Sequence, residues 1–254
     1  MSDPAAAPVR EARGRRALTG RGAGDSNRPA SAASLIHAGL RDDIVSMRRA
    51  PGDPIAEKEI VETYGVSRTP VREALLRLAN EKLVDIFPQS GTFVAHIPLR
   101  ALPEAIVIRT SLEETAARLA AGRATRSQVI GLHAVIEKMR ESEAAGDREA
   151  FHQADERFHA AVAEMAGYPG IWAVVQQVKV QVDRYRRLTL PQEGRMLRVI
   201  EEHTAIARAI EARDPVAAVA HMSGHLSTLI TDIDDIKDLN PDYFVDAPAQ
   251  TRGS

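Results

Sequence analysis

The sequence predicts a mainly α protein in two parts: three helices closed by a β-hairpin, then an all-helical bundle. Three observations lead there. Apolar residues recur at helical spacing from Ser31 almost to the end of the chain. Two β-prone runs flank a glycine-containing turn at one place only, within 84–94. Cap-forming residues then divide the helical text into short units.

The elements follow in order. Residues 1–30 are rich in Ala, Gly, Arg and Pro without periodic apolar positions, so they cannot offset the entropy of ordering and are expected to be a flexible tail. Ser31 is the expected N-cap of a first helix whose Ile36, Leu40, Ile44 and Met47 share a face, up to the break at Ala50, Pro51 and Gly52. A short second helix is expected from 57 to about 63, ended by Tyr64 and Gly65. A third spans 69–80, with Pro70 suited to its first turn. Val84, Asp85, Ile86 and Phe87, the turn from Pro88 to Gly91, and Thr92, Phe93 and Val94 then make a hairpin. Three helices plus a hairpin within residues 31–97 is a winged helix-turn-helix layout. Beyond Pro98 no strand signal recurs, and six helices are expected near 100–121, 126–145, 148–166, 169–189, 193–212 and 215–236, with caps at Thr125, Asp147 and Asp214. Residues 98–238 thus form the second domain, and 239–254 a C-terminal tail.

Composition narrows the function classes. The 254 residues contain no cysteine, which removes disulfides, thiolate metal sites and cysteine nucleophiles together and fits a reducing cytoplasm. No stretch of eighteen uncharged apolar residues exists, so no membrane span is expected. The net charge of −2 hides an asymmetry. Residues 1–97 hold 14 Lys and Arg against 12 Asp and Glu, and the remainder 19 against 23. That small basic excess cannot alone establish nucleic-acid binding.

On the third helix Val71, Leu75 and Leu78 make the apolar stripe, while Arg68 and Arg72, four apart, share another face near the N-terminus. A basic face can be merely solvated. It can also meet a major groove, where the arginine fork holds guanine O6 and N7. The surrounding residues decide between these. Ser67-Arg68-Thr69-Pro70-Val71-Arg72-Glu73-Ala74-Leu75, followed by Gly91-Thr92-Phe93-Val94, closely resembles the GntR family of bacterial regulators. The resemblance implies that Arg68, Thr69 and Arg72 contact bases and backbone in the major groove of double-stranded operator DNA. It further implies that Lys58 supports them and that Gln89 and Gly91 at the wing tip enter the minor groove. Lys82 departs from the family's usual glycine.

The bundle contains polar residues that a plain core would not want. Arg109 and Glu113 fall inside the stripe of Leu102, Ile106, Leu112, Ala116 and Leu119, where a charge is costly unless paired or functional. They either pair with each other, or Arg109 grips a ligand carboxylate. Asp155 and His159 lie together beside the stripe of Phe151, Phe158, Val162 and Met165. His203 falls within the face of Ile200, Ile206, Ala207 and Ile210, and His225 lies nearer than His221 to the seam of Val219, Met222, Leu226, Leu229 and Ile233. A single histidine on an apolar face is usually a hydrogen-bonded core residue. One carboxylate and three imidazoles from three helices instead suit a borderline divalent ion such as Zn²⁺ or Ni²⁺.

The pattern Asp155-x3-His159, His203 and His225-Leu226 resembles the FCD sensor domain of the FadR-type branch of the same family, with the six-helix count closer to its VanR-like subgroup. The resemblance implies metal ligands at Asp155, His159, His203 and His225, and a small organic acid effector held by the ion and Arg109. It leaves His133, His152 and His221 as ordinary surface or flank residues. The expected protein is a homodimeric regulator, most often a repressor in this family. Two other readings stay open: a regulator in which the ion itself is the effector, and a metal-dependent hydrolase, since such sites also activate water.

Overall fold

The computed structural model describes residues 31–189, 193–228 and 241–245. The expected tail at 1–30 lies outside them, as do Leu229 and Ile233. The order of elements is α1 (Ala32–Val45), β1 (Pro54–Ile55), α2 (Glu57–Tyr64), α3 (Arg68–Asn80), β2 (Val84–Phe87), β3 (Gly91–Val94) and β4 (Ile97–Pro98). The second domain continues with α4 (Leu102–Arg123), α5 (Arg126–Ala144), α6 (Arg148–Met165), α7 (Gly170–Val178), α8 (Val180–Thr189), α9 (Arg195–Glu211), α10 (Pro215–Ser227) and β5 (Phe244–Val245).

Local chemistry sets most of these boundaries. Ser31 Oγ accepts from Ser34 N at 3.1 Å, and Thr125 with Gln128 forms a reciprocal capping box. Asp147 accepts from Ala150 N, and Asp214 from Val216 N and Ala217 N, each at about 3 Å. Gly65 ends α2 at φ 64°, a left-handed position that glycine takes without a Cβ penalty.

The first domain packs α1 against α3 around Ile36, Leu40, Ile44, Val71, Leu75 and Leu78, all buried. The hairpin pairs Phe87 with Gly91 and Val84 with Val94. A strand that periodicity did not reveal, β1, adds antiparallel to β3 through Pro54 and Ile55. Two residues are too short to show alternation.

In the second domain, α4 contacts α6, α9 and α10, and α5 lies against α6 and α9. Two expectations need correction. The single helix expected over 169–189 is two, α7 and α8, meeting at Lys179, so seven helices rather than six follow β4 among the described residues. The i−4 bonds Lys179 N→Val175 O and Asp183 N→Lys179 O bracket this junction, which hydrophobic spacing does not register. The segment expected as C-terminal tail is not all tail either. Phe244 and Val245 pair in parallel with Ile97 and Pro98, and Phe244 is buried in the core of the second domain. No described helix is long and apolar enough to cross a membrane.

Candidate functional site

Two sites emerge, one facing solvent and one buried. Helix α3 buries Val71, Ala74, Leu75 and Leu78, which turns Arg68, Thr69 and Arg72 outward. Arg68 and Thr69 open the helix, where unpaired backbone N–H groups also favour an anion. Arg72 is held only loosely, its Nε 3.4 Å from Glu57 Oε2. Lys58 on α2 is 85% exposed, 3.8 Å from Glu62. At the wing tip Gln89 takes φ 64° and Gly91 φ 116°, both exposed. The wing also exposes Phe87 and Ile86, with the Phe87 ring 6.1 Å from that of Phe93.

The second site lies in the core of the second domain. Asp155 and His159 from α6, His203 from α9 and His225 from α10 are all buried, and one ligand atom of each lies within 4.8 Å of the others. His203 Nε2 is 3.2 Å from His225 Nε2 and 3.7 Å from Asp155 Oδ1. The outer ring nitrogens have partners. His159 Nδ1 lies within ion-pair reach of a Glu113 carboxylate oxygen, His225 Nδ1 donates to Glu202 at 2.6 Å, and His203 Nδ1 sits 3.3 Å from Met139 Sδ. Where a carboxylate accepts a hydrogen bond from Nδ1–H, the Nε2 lone pair is left facing inward. Aromatic rings fix the imidazole planes: Phe158 stacks on His203 at 4.0 Å, and Trp172 on His159 at 5.9 Å.

Electrostatics favours the neutral form at two of the imidazoles, His203 and His225. Burial, reinforced by neighbouring histidines, pushes His203 and His225 well below the ordinary histidine range. Burial alone would raise Asp155, yet it is held far below the carboxylate range by Arg186, which donates to both its oxygens at 2.6 and 2.9 Å. Each carboxylate oxygen keeps a further lone pair. The set offers three imidazoles and one anionic carboxylate, donor types that suit a Zn²⁺ or Ni²⁺ ion.

Arg109 adjoins this cluster. Fully buried on α4, it donates through Nε to Glu113 Oε1 at 2.5 Å and lies 3.2 Å through one Nη from His159 Nε2, while its other Nη has no partner. Arg109 pairs with Glu113, and one Nη remains a buried donor without an acceptor. Glu113 and Glu202, the acids beside the cluster, are engaged as outer partners of histidines. Sequence reasoning assigned Arg186, Met139 and Trp172 no part in this site. They come from three other helices, and no spacing links them to it.

Of the histidines set aside, His221 is exposed and His133 pairs with Glu211 at 3.1 Å. His152 is a correction: it is 6% exposed rather than a surface residue, and its Nδ1 lacks a partner. One turn before Asp155 on the same side of α6, it faces α8. Burial pushes it down to about 4. It borders a cavity of about 330 Å³ between α1 and α6, α7 and α8, where Lys179 Nζ bridges Glu156 and Asp183 at 2.7 and 2.5 Å. That ammonium already serves the acids there.

Comparison with known proteins covers the regions that carry both candidate sites. Residues 33–94 match the family described as bacterial regulatory proteins, gntR family, and residues 104–228 match the FCD domain. The HTH-type transcriptional repressor RspR of Escherichia coli is 32% identical over 209 residues, covering 82% of this chain and 92% of that protein. The Uxu operon regulator of Haemophilus influenzae is 30% identical over 226 residues, covering 81% and 83%. The solved structure of E. coli McbR/YncC superposes with a TM-score of 0.70 at 24% identity over 81% of this chain and 98% of that one, a likeness of fold. With relatives that are transcription regulators rather than enzymes, the chain belongs to the GntR family: it is a DNA-binding transcription regulator with a C-terminal FCD domain.

Proposed function

We propose that this regulator is a homodimeric repressor whose grip on operator DNA is controlled by a small carboxylate bound beside a divalent ion in the FCD domain. The observation that carries the reading is the convergence of three inward-facing imidazole Nε2 atoms and the Asp155 carboxylate next to the unpartnered Arg109 Nη. Asp155, His159, His203 and His225 would hold the ion, and Glu113, Glu202 and Met139 would orient the imidazoles. The ion would supply a Lewis-acidic anchor for one carboxylate oxygen, and Arg109 a donor for the other. Arg68, Thr69 and Arg72 would read the major groove, with Lys58, Gln89 and Gly91 supporting on the backbone and in the minor groove. A dimer presents two such faces, which suits a palindromic site.

The test separates ion from acid. Zn²⁺ or Ni²⁺ and a panel of small carboxylic acids are titrated separately, then together, into DNA-bound protein. Release by an acid only in the metal-loaded protein is expected. Release by the ion alone would make the ion the effector. Arg109→Ala should keep metal and DNA binding, since Glu113 retains His159 as partner, yet lose the response to acid. A variant that responds like wild type would reduce Arg109 to a structural partner of Glu113.

A further inference from the structure

Helix α8 is buried on two opposite sides, and the two sides belong to different domains. Val180 packs into the core of the winged domain, whereas Val182 and Tyr185 pack into the sensor core. At about 100° per residue, positions two apart point to opposite faces and positions four apart share one. Val180 and Arg184 therefore face the winged domain, and Val182 and Arg186 face the sensor. Arg186 grips both oxygens of Asp155. Arg184 reaches the other way: one Nη donates to Ala95 O at 2.6 Å and the other to Gln181 Oε1 at 3.0 Å, while Gln181 Nε2 donates to Lys82 O at 3.0 Å.

The two carbonyls that receive these bonds flank the wing. Lys82 lies two residues before β2, Ala95 directly after β3, and Ala95 N donates to Leu83 O at 3.0 Å to close the hairpin's root. Lys82 also follows the end of α3, at φ 58°. One short helix thus touches the histidine cluster on one face and the root of the DNA-facing hairpin on the other. The seam is also unevenly satisfied. Arg184 is fully buried, forms no ion pair among the described residues, and has an Nε with no acceptor. Burial pushes its guanidinium down to about 10, opposed only through space by Asp85. A desolvated cation held by neutral oxygens is poorly compensated, so a modest push can change its arrangement.

We infer that α8 is the coupling element of this regulator, transmitting the state of Asp155 through Arg186 to the wing root through Arg184 and Gln181. The input rests on the proposed function, in which Asp155 is drawn onto a cation. The link from Arg186 to the wing does not depend on it. A helix of ten residues moves as a unit, so a change in the Arg186 grip displaces Arg184 and Gln181 together.

A double-mutant cycle on the full chain tests the link without any ligand, using a duplex selected for tight binding to wild type from a randomised pool. Arg186→Gln should change affinity for that duplex on the order of 5–150-fold, the usual span of allosteric coupling. In a background carrying Arg184→Gln with Gln181→Ala, the same change should alter affinity less than about twofold. Additive effects would overturn the inference. Because Arg186→Gln strips a buried carboxylate of its partner, Arg186→Lys is run beside it; it keeps the charge, loses the bidentate fork and should give an intermediate shift. Hydrogen exchange gives an answer from folded wild type. Adding Zn²⁺ should change protection of the Leu83 and Ala95 amides in wild type, and not in the seam variant, at equal Zn²⁺ stoichiometry. Zn²⁺ uptake with unchanged exchange at the wing root would refute the coupling. Failure to take up Zn²⁺ would instead refute the reading of the histidine cluster, and the cycle alone would then decide on the helix.

Discussion

The outward face of α3 and the histidine cluster treat their polar groups in opposite ways. Arg68, Thr69 and Arg72 are exposed and scarcely tethered, Arg72 by one contact at 3.4 Å. The histidines are buried, stacked on aromatic rings, and held at their outer nitrogens by Glu113, Glu202 and Met139. A surface that meets a long polyanion needs charge that can adapt, because water satisfies each group until the partner arrives. On the proposed reading, a site for a single ion must be arranged in advance, because unsatisfied lone pairs in a low-dielectric interior cannot wait at low cost.

This contrast can be broken in four ways. The largest effect is expected from His203→Ala combined with His225→Ala, which should remove stoichiometric metal as read by elemental analysis, whereas His221→Ala should leave it. Equal metal content in all three proteins would show that the cluster is a structural core. Glu202→Gln keeps the shape but weakens the hold on His225 Nδ1, and calorimetry should record a 10–100-fold loss of metal affinity. An unchanged affinity would mean that the outer carboxylate does not matter. Arg72→Ala should cost about 1–3 kcal/mol on the specific duplex. In an anisotropy titration, equal affinity of wild type and variant for cognate and scrambled DNA would end the assignment of α3 as reader. The smallest effect concerns Lys82, a non-glycine residue at φ 58° in the turn from α3 to the wing. Lys82→Gly should relieve a left-handed strain of about 1–2 kcal/mol, partly offset by the extra freedom of an unfolded glycine. The thermal midpoint should rise by a few degrees, and a fall would mean that the side chain supports the wing.

How much was legible in the sequence differs between the two regions. Ser31, Thr125, Asp147 and Asp214 mark helix starts because a side chain and a backbone N–H three residues away settle the matter between themselves. The stripe of Val71, Leu75 and Leu78 likewise follows from the helical repeat, and the exposed arginine face from its complement. His203 was readable as buried for the same reason.

What periodicity could not supply was anything decided between elements. The strands β1 and β5 are two residues each and exist only through their partners, β3 and β4. The grip of Arg186 on Asp155 and the reach of Arg184 to Ala95 join residues 31 and 89 positions apart. By itself the sequence determined which faces are apolar and where most helices begin, since those depend on neighbours within one turn. Only the tertiary structure decided which charges meet, which histidine nitrogens face inward, and that α8 lies between the two domains. Those outcomes depend on distances across the core that no local repeat encodes.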